Sequence, residues 1–455
     1  MARVYPFRAL RYNPSLVRLT DVVTQPYDKI TPAMQQAYYQ RSPYNLVRII
    51  LGLPELFDRE QGEGDSDIYS RAARDFRDWR KSGVLSQESE PAIFAYSQRF
   101  SAPGNGGAVQ ERRGLIALGE LSEYAEKVVF RHEQTLSKPK SDRLNLLRAT
   151  RAHFGQIFML YSDPGLSVEQ LLFGSSSGPS SAAPDIEVTD EYEVTHRVWK
   201  VSDPAIINMV TTALEDKKLI IADGHHRYET ALNYARERAA ERAPQSPAQA
   251  ERNSYSPAQP PYPEAAAMMT FVNMDGEGLA ILPTHRVVHG LKSFSAADFL
   301  KRAEEYFEVR AIDGAEASEL VAQLDGVKDR SAFVCVTAAG SALLTAKAEA
   351  VAKAMEALPA RQRQLEVAQL HAVVLEKLLG LTPEAIREQS HLRYLRDPAE
   401  AVAQVQQHSA DVAFLTRAVR LDQLREVAFA GEVMPQKSTD FFPKLLSGLT
   451  IYALD

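Results

Sequence analysis

The chain has 455 residues, too many for one ordinary core, so two or three domains are expected. Its 45% hydrophobic and 24% charged content is that of a soluble globular protein, and a net charge of −7 argues against broad, sequence-independent nucleic-acid binding, which needs a strongly basic face. The one cysteine, Cys335, excludes an intramolecular disulfide, a cysteine-based zinc site and a thiol relay. MARVYPFRAL lacks the apolar core of a signal peptide, and no run of 18 apolar residues occurs, so the cytoplasm is the default compartment.

In chain order, a first strand is expected over Ala2 to Leu10. VVTQPYDKI, Val22 to Ile30, reads as an extended segment ending in a Pro-Tyr-Asp turn, and SPYNLVRIIL, Ser42 to Leu51, as a turn followed by a strand. Between Tyr69 and Lys81 the apolar spacing of Tyr69, Ala72, Phe76 and Trp79 predicts a helix. PAIFAYSQRF and RRGLIALGEL read as two strands joined by a glycine-rich loop, Pro103 to Ala108. Asp142 to His153 reads as helix and IFMLYSD as strand. Gly174 to Pro184, GSSSGPSSAAP, is a flexible connection; it holds the letters of a nucleophile elbow, but low-complexity sequence supplies no strained strand-to-helix turn.

LIIADGHHRYETAL, Leu219 to Leu232, begins as a buried strand, turns at Asp223-Gly224 and starts a helix at His225, His226 and Arg227. Tyr228, Ala231, Leu232 and Ala235 mark one apolar face of that helix. Arg242 to Pro263, rich in Pro, Ala, Gln and Ser, reads as a disordered surface insertion. MMTFVNM and LAILPTHRVV, joined by a turn at Asp275 to Gly278, read as an adjacent hairpin. After Ser295 follow a helix, the strand FEVRAI, a second helix and paired strands around AFVCVT and ALLTAKA, an α+β pattern with Cys335 as a core residue. Leu365 to Leu379 reads as an amphipathic helix. Three regions result: 1–173, 185–292 with the insertion at 242–263, and 293–455 with a tail returning to the core.

The turn at Asp223 carries the functional signal. The first turn of a helix already favours anions through its N–H groups and its dipole. Histidines and an arginine there oppose the dipole, which makes sense if a phosphate or carboxylate binds; the plainer alternative is that the histidines cap the turn and Arg227 pairs with a surface carboxylate. RHEQT, Arg131 to Thr135, starts like a zinc-protease motif but lacks the second histidine. SKPKSDRL, Ser137 to Leu144, sets Lys138, Lys140 and Arg143 near Asp142, as a solvated charged loop does. His285 and His289 share one side of a strand with no third ligand nearby, and read as core or rim histidines. MPQKSTDFFPKLLSGL, Met434 to Leu449, holds two adjacent phenylalanines whose burial favours docking. The segment is expected to fold back and set Lys437 at the anion site, with Ser438 and Thr439 as hydroxyl donors; alternatively the aromatics seal an edge while Lys437 and Lys444 face water. No Walker-type loop or dinucleotide fingerprint occurs, and Gly104, Gly106 and Gly107 read as a hairpin tip.

QPYDKI, SPYNLVRI, RRGLIAL, RHEQT, SDRLNLL, ADGHHRYETAL, LPTHRVV, LHAVVLEKLLG and MPQKSTDFFPKLLSGL together resemble the bacterial and archaeal family called domain of unknown function 1015, over almost the whole chain. Locally, DGHHRYETAL is similar to the phosphate-handling box of the ParB/sulfiredoxin superfamily, which includes partition proteins, sulfiredoxins and free-serine kinases. Sulfiredoxin has Gly-Cys-His-Arg in this box; here His225 stands in the cysteine position, so the phosphate role of Gly224, His226 and Arg227 carries over and the sulfur chemistry does not. The resemblance implies a mixed α/β fold, a ParB/sulfiredoxin-like core with an additional C-terminal α+β subdomain. It also implies a nucleotide-dependent phosphotransferase, or phosphoryl-handling enzyme, acting on a small metabolite such as free serine. Phosphate would be held by Arg227, in bidentate fashion, and by Gly224, His225 and His226. A carboxylate, with Asp28, Glu133, Asp142 and Asp223 as candidates, would accept the substrate hydroxyl proton. ATP or ADP is the implied donor and Mg²⁺ the implied ion, with no ligand set readable. The rival is a non-catalytic nucleotide- or anion-binding regulator related to partition proteins; the acidic balance and the lack of a clear helix-turn-helix weigh against DNA.

Overall fold

Apolar runs that leave no face for water make the centre of the first sheet. In a computed structural model, the structure describes residues 1–53, 67–104, 106–133, 137–174, 178–242, 259–314 and 316–455. The chain divides into two units, one of Met1–Phe130, Thr135–Leu279 and Pro443–Asp455, the other of Arg131–Gln134 and Ala280–Phe442. The class is mixed α/β.

In the first unit, strands β1 (Val4–Tyr5), β2 (Ile93–Ser101), β3 (Val109–Glu120), β4 (Val129–Phe130), β5 (Ile157–Tyr161), β6 (Ile186–Thr189), β7 (Thr195–Val201), β8 (Leu219–Asp223) and β9 (Ala266–Asn273) form one sheet. The order is β4-β8-β5-β9-β3-β2-β7-β6, with β1 against β3. β4–β8 and β5–β9 are parallel and the other pairs antiparallel. Every residue of β5 and β9 is buried, the pattern of strands covered on both faces. β2 and β3 make the expected hairpin around Pro103 to Ala108, where Asn105 lies outside the described residues.

Three helices pack in series, the last of them starting at the end of β8. Asp67 accepts from the Ser70 amide to start α1 (Ile68–Lys81), which buries Ala72, Phe76 and Trp79 as their spacing predicts. α1 packs on α2 (Ser137–Thr150), and α2 on α3 (His225–Glu241). Ion pairs Lys140–Glu229 and Arg148–Glu237 join α2 to α3. The C-terminal segment is woven into this unit: Thr24 and Ser447 exchange backbone hydrogen bonds, Ile451 pairs with Leu10, and Tyr452–Ala453 pairs with Ala152–His153. Leu445, Leu446, Leu449 and Leu454 are buried there.

The second unit holds an antiparallel sheet in the order Phe307–Ile312, Gly340–Ala346, Ala332–Thr337, Val412–Leu415, His285–Val288, Leu392–Leu395. The α+β succession expected after Ser295 is present, and Cys335 is buried at a central strand, where burial pushes its thiol up and leaves it inert.

Several expected elements differ. The strand over Ala2 to Leu10 is two short pieces, Val4–Tyr5 and Leu10–Tyr12. The strand expected before Leu51 is a turn of helix, Val47–Ile50, because a short run buried on all sides carries no period to separate the two states; Asn45 starts it by accepting from the Val47 amide at 3.0 Å. The hairpin of MMTFVNM with LAILPTHRVV is absent. β9 pairs with β3 and β5, Ala280–Leu282 pairs with Asp440–Phe442, and His285–Val288 joins the second sheet, since the chain changes units at residue 280 and Pro283 interrupts the run. Leu365 to Leu379 is helical but widens to π geometry over Leu370–Leu378 and is buried on most sides. Regions 1–173 and 185–292 share the first sheet. Ser175–Ser177 of the flexible connection and 243–258 of the insertion lie outside the described residues. Among the described residues no helix is long and apolar enough to cross a membrane.

Leu449 tests the woven C-terminus. It is fully buried, so Leu449→Ala should lower the unfolding free energy by about 2–5 kcal/mol, measured by denaturant titration. A loss under about 0.5 kcal/mol, the size of an ordinary surface change, would contradict this packing.

Candidate functional site

β8 ends at Asp223, with a break in register after Ile221, and delivers the chain to Gly224. Gly224 sits at φ 92°, a left-handed conformation open to glycine, and its side is filled by the Arg227 guanidinium, 3.1 Å from where a Cβ would stand. Any larger residue would strain the turn and push Arg227 away. The turn therefore does two jobs: it starts α3 and it seats an arginine back against the strand end.

Asp223 is the hub. Arg227 Nη2 donates to its Oδ2 at 2.8 Å, and Lys444 Nζ donates to its Oδ1 at 3.4 Å. Nη1 of Arg227 also donates to the carbonyl of Gln156. Burial alone would raise the Asp223 carboxyl, but Lys444, Arg227, Lys29 and His225 outweigh it and hold it far below the usual carboxylate range. A carboxylate held that low is a weak base. Lys444 is itself buried, and its segment is fixed from the central strands: Gln98 Nε2 donates to the Lys444 carbonyl at 2.9 Å, and Arg112 Nε donates to Gln98 Oε1 at 3.1 Å. Arg112 is fully buried, stacked 4.7 Å from the Phe158 ring, and burial lowers its guanidinium to about 10 against the pull of Tyr96 and Asp223.

The turn Tyr27–Lys29 adds to this cluster. Burial raises the Tyr27 phenol to about 12, with Asp28 adding to the rise and Arg143 and Arg227 opposing it. Arg143 stacks on the Tyr27 ring at 4.1 Å. A cavity of about 70 Å³ lies against Arg227, walled by Tyr27, Arg143, Phe154, Gly155 and Ser447. That is roughly two waters' share of liquid volume, so a nucleoside would keep its bulk outside. Asp223 thus stands among Arg227, Lys444, Lys29 and Arg112, with Asp28 on the adjacent turn, and the cations outnumber the carboxylates, an excess of positive charge suited to an anion.

The expected residues fall into three groups. Asp223, Gly224, His225, His226 and Arg227 are together at the helix start, and Asp28 is exposed on the turn whose neighbours Tyr27 and Lys29 reach Asp223. Asp142 accepts from the Tyr69 hydroxyl at 2.8 Å and from Arg143 Nε at 2.8 Å, so it steadies Arg143. Glu133, Ser438 and Thr439 meet in the second unit: Glu133 Oε1 accepts from the Ser438 amide at 3.1 Å and the Thr439 amide at 3.3 Å. Lys437 is exposed in that unit, its carbonyl accepting from Arg286. Lys444, Arg112, Lys29 and Tyr27 escape the sequence reading as site residues. Lys444 had a signal: a lysine inside FFPKLL must find a counter-charge if the run is buried. Arg112 shares the strand face of Ile116 and Leu118, where an arginine is out of place unless bound. Among the described residues no group of three or more His, Cys, Asp or Glu side chains could hold a metal ion.

The family model described as protein of unknown function (DUF1015) matches residues 4–411, and the chain belongs to that family. No protein of curated function matches the sequence. Among solved structures, a conserved hypothetical protein from Pyrococcus furiosus is similar at 13% identity over 73% of this chain and 92% of its own, with a TM-score of 0.33. A free serine kinase in complex with AMP is similar at 13% identity over 72% and 86%, TM-score 0.33. SbnI with a C-terminal truncation, from Staphylococcus aureus, is similar at 9% identity over 73% and 85%, TM-score 0.33.

The Asp223 pairing has a pH signature. Its carboxyl lies lower in the folded chain than unfolded, so its contribution is complete above about pH 4 and is lost as pH falls below that. The stability gap between wild type and Asp223→Asn should be constant at neutral pH and shrink below about pH 4. A gap unchanged down to about pH 2.5 would contradict the pairing.

Proposed function

We propose that this member of the DUF1015 family binds the phosphates of a nucleotide at the Asp223–Arg227 turn and transfers a phosphoryl group to the hydroxyl of a small metabolite such as free serine. The observation that carries the reading is the surplus of cations around one carboxylate at the start of α3. Phosphoryl transfer needs positioning and charge neutralisation above all, and Arg227, Lys444 and Lys29 supply both, with the first-turn amides of His225 and His226 as further donors. Lys444 takes the role that the sequence gives to Lys437. Asp223, too weak a base to take a proton, orients Arg227 and Lys444.

Glu133 and Asp142 are engaged elsewhere, which leaves Asp28 as the proton acceptor. The substrate hydroxyl oxygen bonds to the terminal phosphorus of ATP or ADP, the bond from that phosphorus to the bridging oxygen breaks with its electrons going to the departing nucleotide, and the hydroxyl proton passes to the Asp28 carboxylate. Mg²⁺ typically takes one or two carboxylates plus the phosphates themselves, a demand that Asp223 does not fit, because Arg227 and Lys444 hold its two oxygens.

A non-catalytic anion-binding regulator is the second reading. The small size of the cavity beside Arg227 favours it.

Incubation with serine and ATP or ADP should yield phosphoserine. Arg227→Ala and Lys444→Ala should each weaken nucleotide binding by about tenfold to a hundredfold in calorimetry. Asp28→Asn should lower kcat by about 10²–10⁴ with nucleotide affinity retained. Saturable binding without turnover selects the regulator, and equal affinity in wild type and Arg227→Ala overturns both readings.

A further inference from the structure

We infer that the second unit carries its own binding site for a small polyanion, a metabolite bearing two or more phosphate or carboxylate groups, in the cavity beside Arg286. The cavity measures about 360 Å³, within the range of small-molecule sites. Its walls hold five cations, Arg286, Lys328, Arg330, Arg417 and Arg420, against two carboxylates, Asp329 and Glu366. The inference stands apart from the Asp223 turn and shares no residue with it.

Arg286 is the anchor. It is 2% exposed, and among the described residues its guanidinium donates to neutral acceptors, Nη1 to the carbonyl of Thr284 and Nη2 to that of Lys437 at 3.0 Å, and lies 5.3 Å from the Tyr394 ring. Its Nε is buried without a hydrogen-bond partner. A buried cation left in that state is costly. Its neighbours do not compensate. His285 is lowered to about 4 by burial and by Arg286, His371 is lowered by the same two causes, and both therefore stand neutral at pH 7. Tyr394, whose ring lies under the guanidinium, and then Glu133 pull the other way, and burial outweighs both. An anion entering the cavity would provide what Arg286 lacks.

The remaining cations fit the same occupant. Arg417 is held rigidly, by Glu366 and by the carbonyls of Val327 and Arg330. Arg330 and Arg420 pair on the surface with Glu308 and Asp422, at 2.7 and 3.0 Å, and such exposed pairs exchange readily for a ligand. Lys328 is exposed at the rim. One buried fork, several rim charges and a volume of this size suit a compact ligand with charge at two positions, and Arg is the side chain that grips planar or tetrahedral oxyanions with two parallel hydrogen bonds.

Pyrophosphate is the probe, and the Arg227→Ala background weakens the other anion site, so that the rim substitutions report on the cavity beside Arg286. Calorimetry on Arg227→Ala should show saturable pyrophosphate binding. Adding Lys328→Glu and Arg420→Glu should weaken it at least tenfold with an unchanged melting temperature, because both side chains are exposed. Arg286→Lys, which keeps the charge and loses the fork, should also weaken binding. The inference is overturned if Arg227→Ala binds no pyrophosphate, or if the added rim substitutions leave its affinity within twofold.

Discussion

The ion pairs on Asp223 connect three stretches of chain that are far apart in sequence. The carboxylate ends a buried strand, Arg227 belongs to the helix that follows, and Lys444 arrives from the C-terminal segment. None of the three could be buried alone, since an unpaired charge in that setting costs several kcal/mol. Each charge is tolerable because the other two are present, so the strand end, the helix start and the returning segment hold one another. The left-handed glycine between Asp223 and His225 is the backbone condition for this arrangement, as it lets the arginine fold back over the turn.

The two units use buried arginine differently. In the first, Arg112 and Arg227 are satisfied by backbone carbonyls, a glutamine and a carboxylate, so their charge is both fixed and shared. In the second, Arg286 is fixed by carbonyls but not neutralised. Rigid positioning with incomplete neutralisation is the state in which an arginine has most to gain from an incoming anion.

Legibility in the sequence followed the range of the interaction. Helix α1, the β2–β3 hairpin and the strand–glycine–helix turn were readable because their signals, a 3.6 period, a glycine-rich loop and Asp-Gly before a polar helix start, lie within a few residues. The turn at Val47–Ile50 was not, because an apolar run of that length has no period. The pairing of Ala280–Leu282 with Asp440–Phe442 was not, because strand partners distant in sequence leave no local mark. The site divides in the same way. Gly224 to Arg227 could be named from one motif, whereas choosing Lys444 over Lys437 required knowing which part of the tail is buried against Asp223.

The last stretch of the first unit, Pro443–Asp455, follows the whole of Ala280–Phe442 in the chain. During synthesis Asp223 is therefore short of one cation while the entire second unit is made. Domains generally fold as units in the order they emerge, but here the first to emerge is the last to close. The Asp223 turn gains its Lys444 partner only after the second unit has been made, so a chain stopped before Lys444 would lack one of the two ion pairs on that carboxylate.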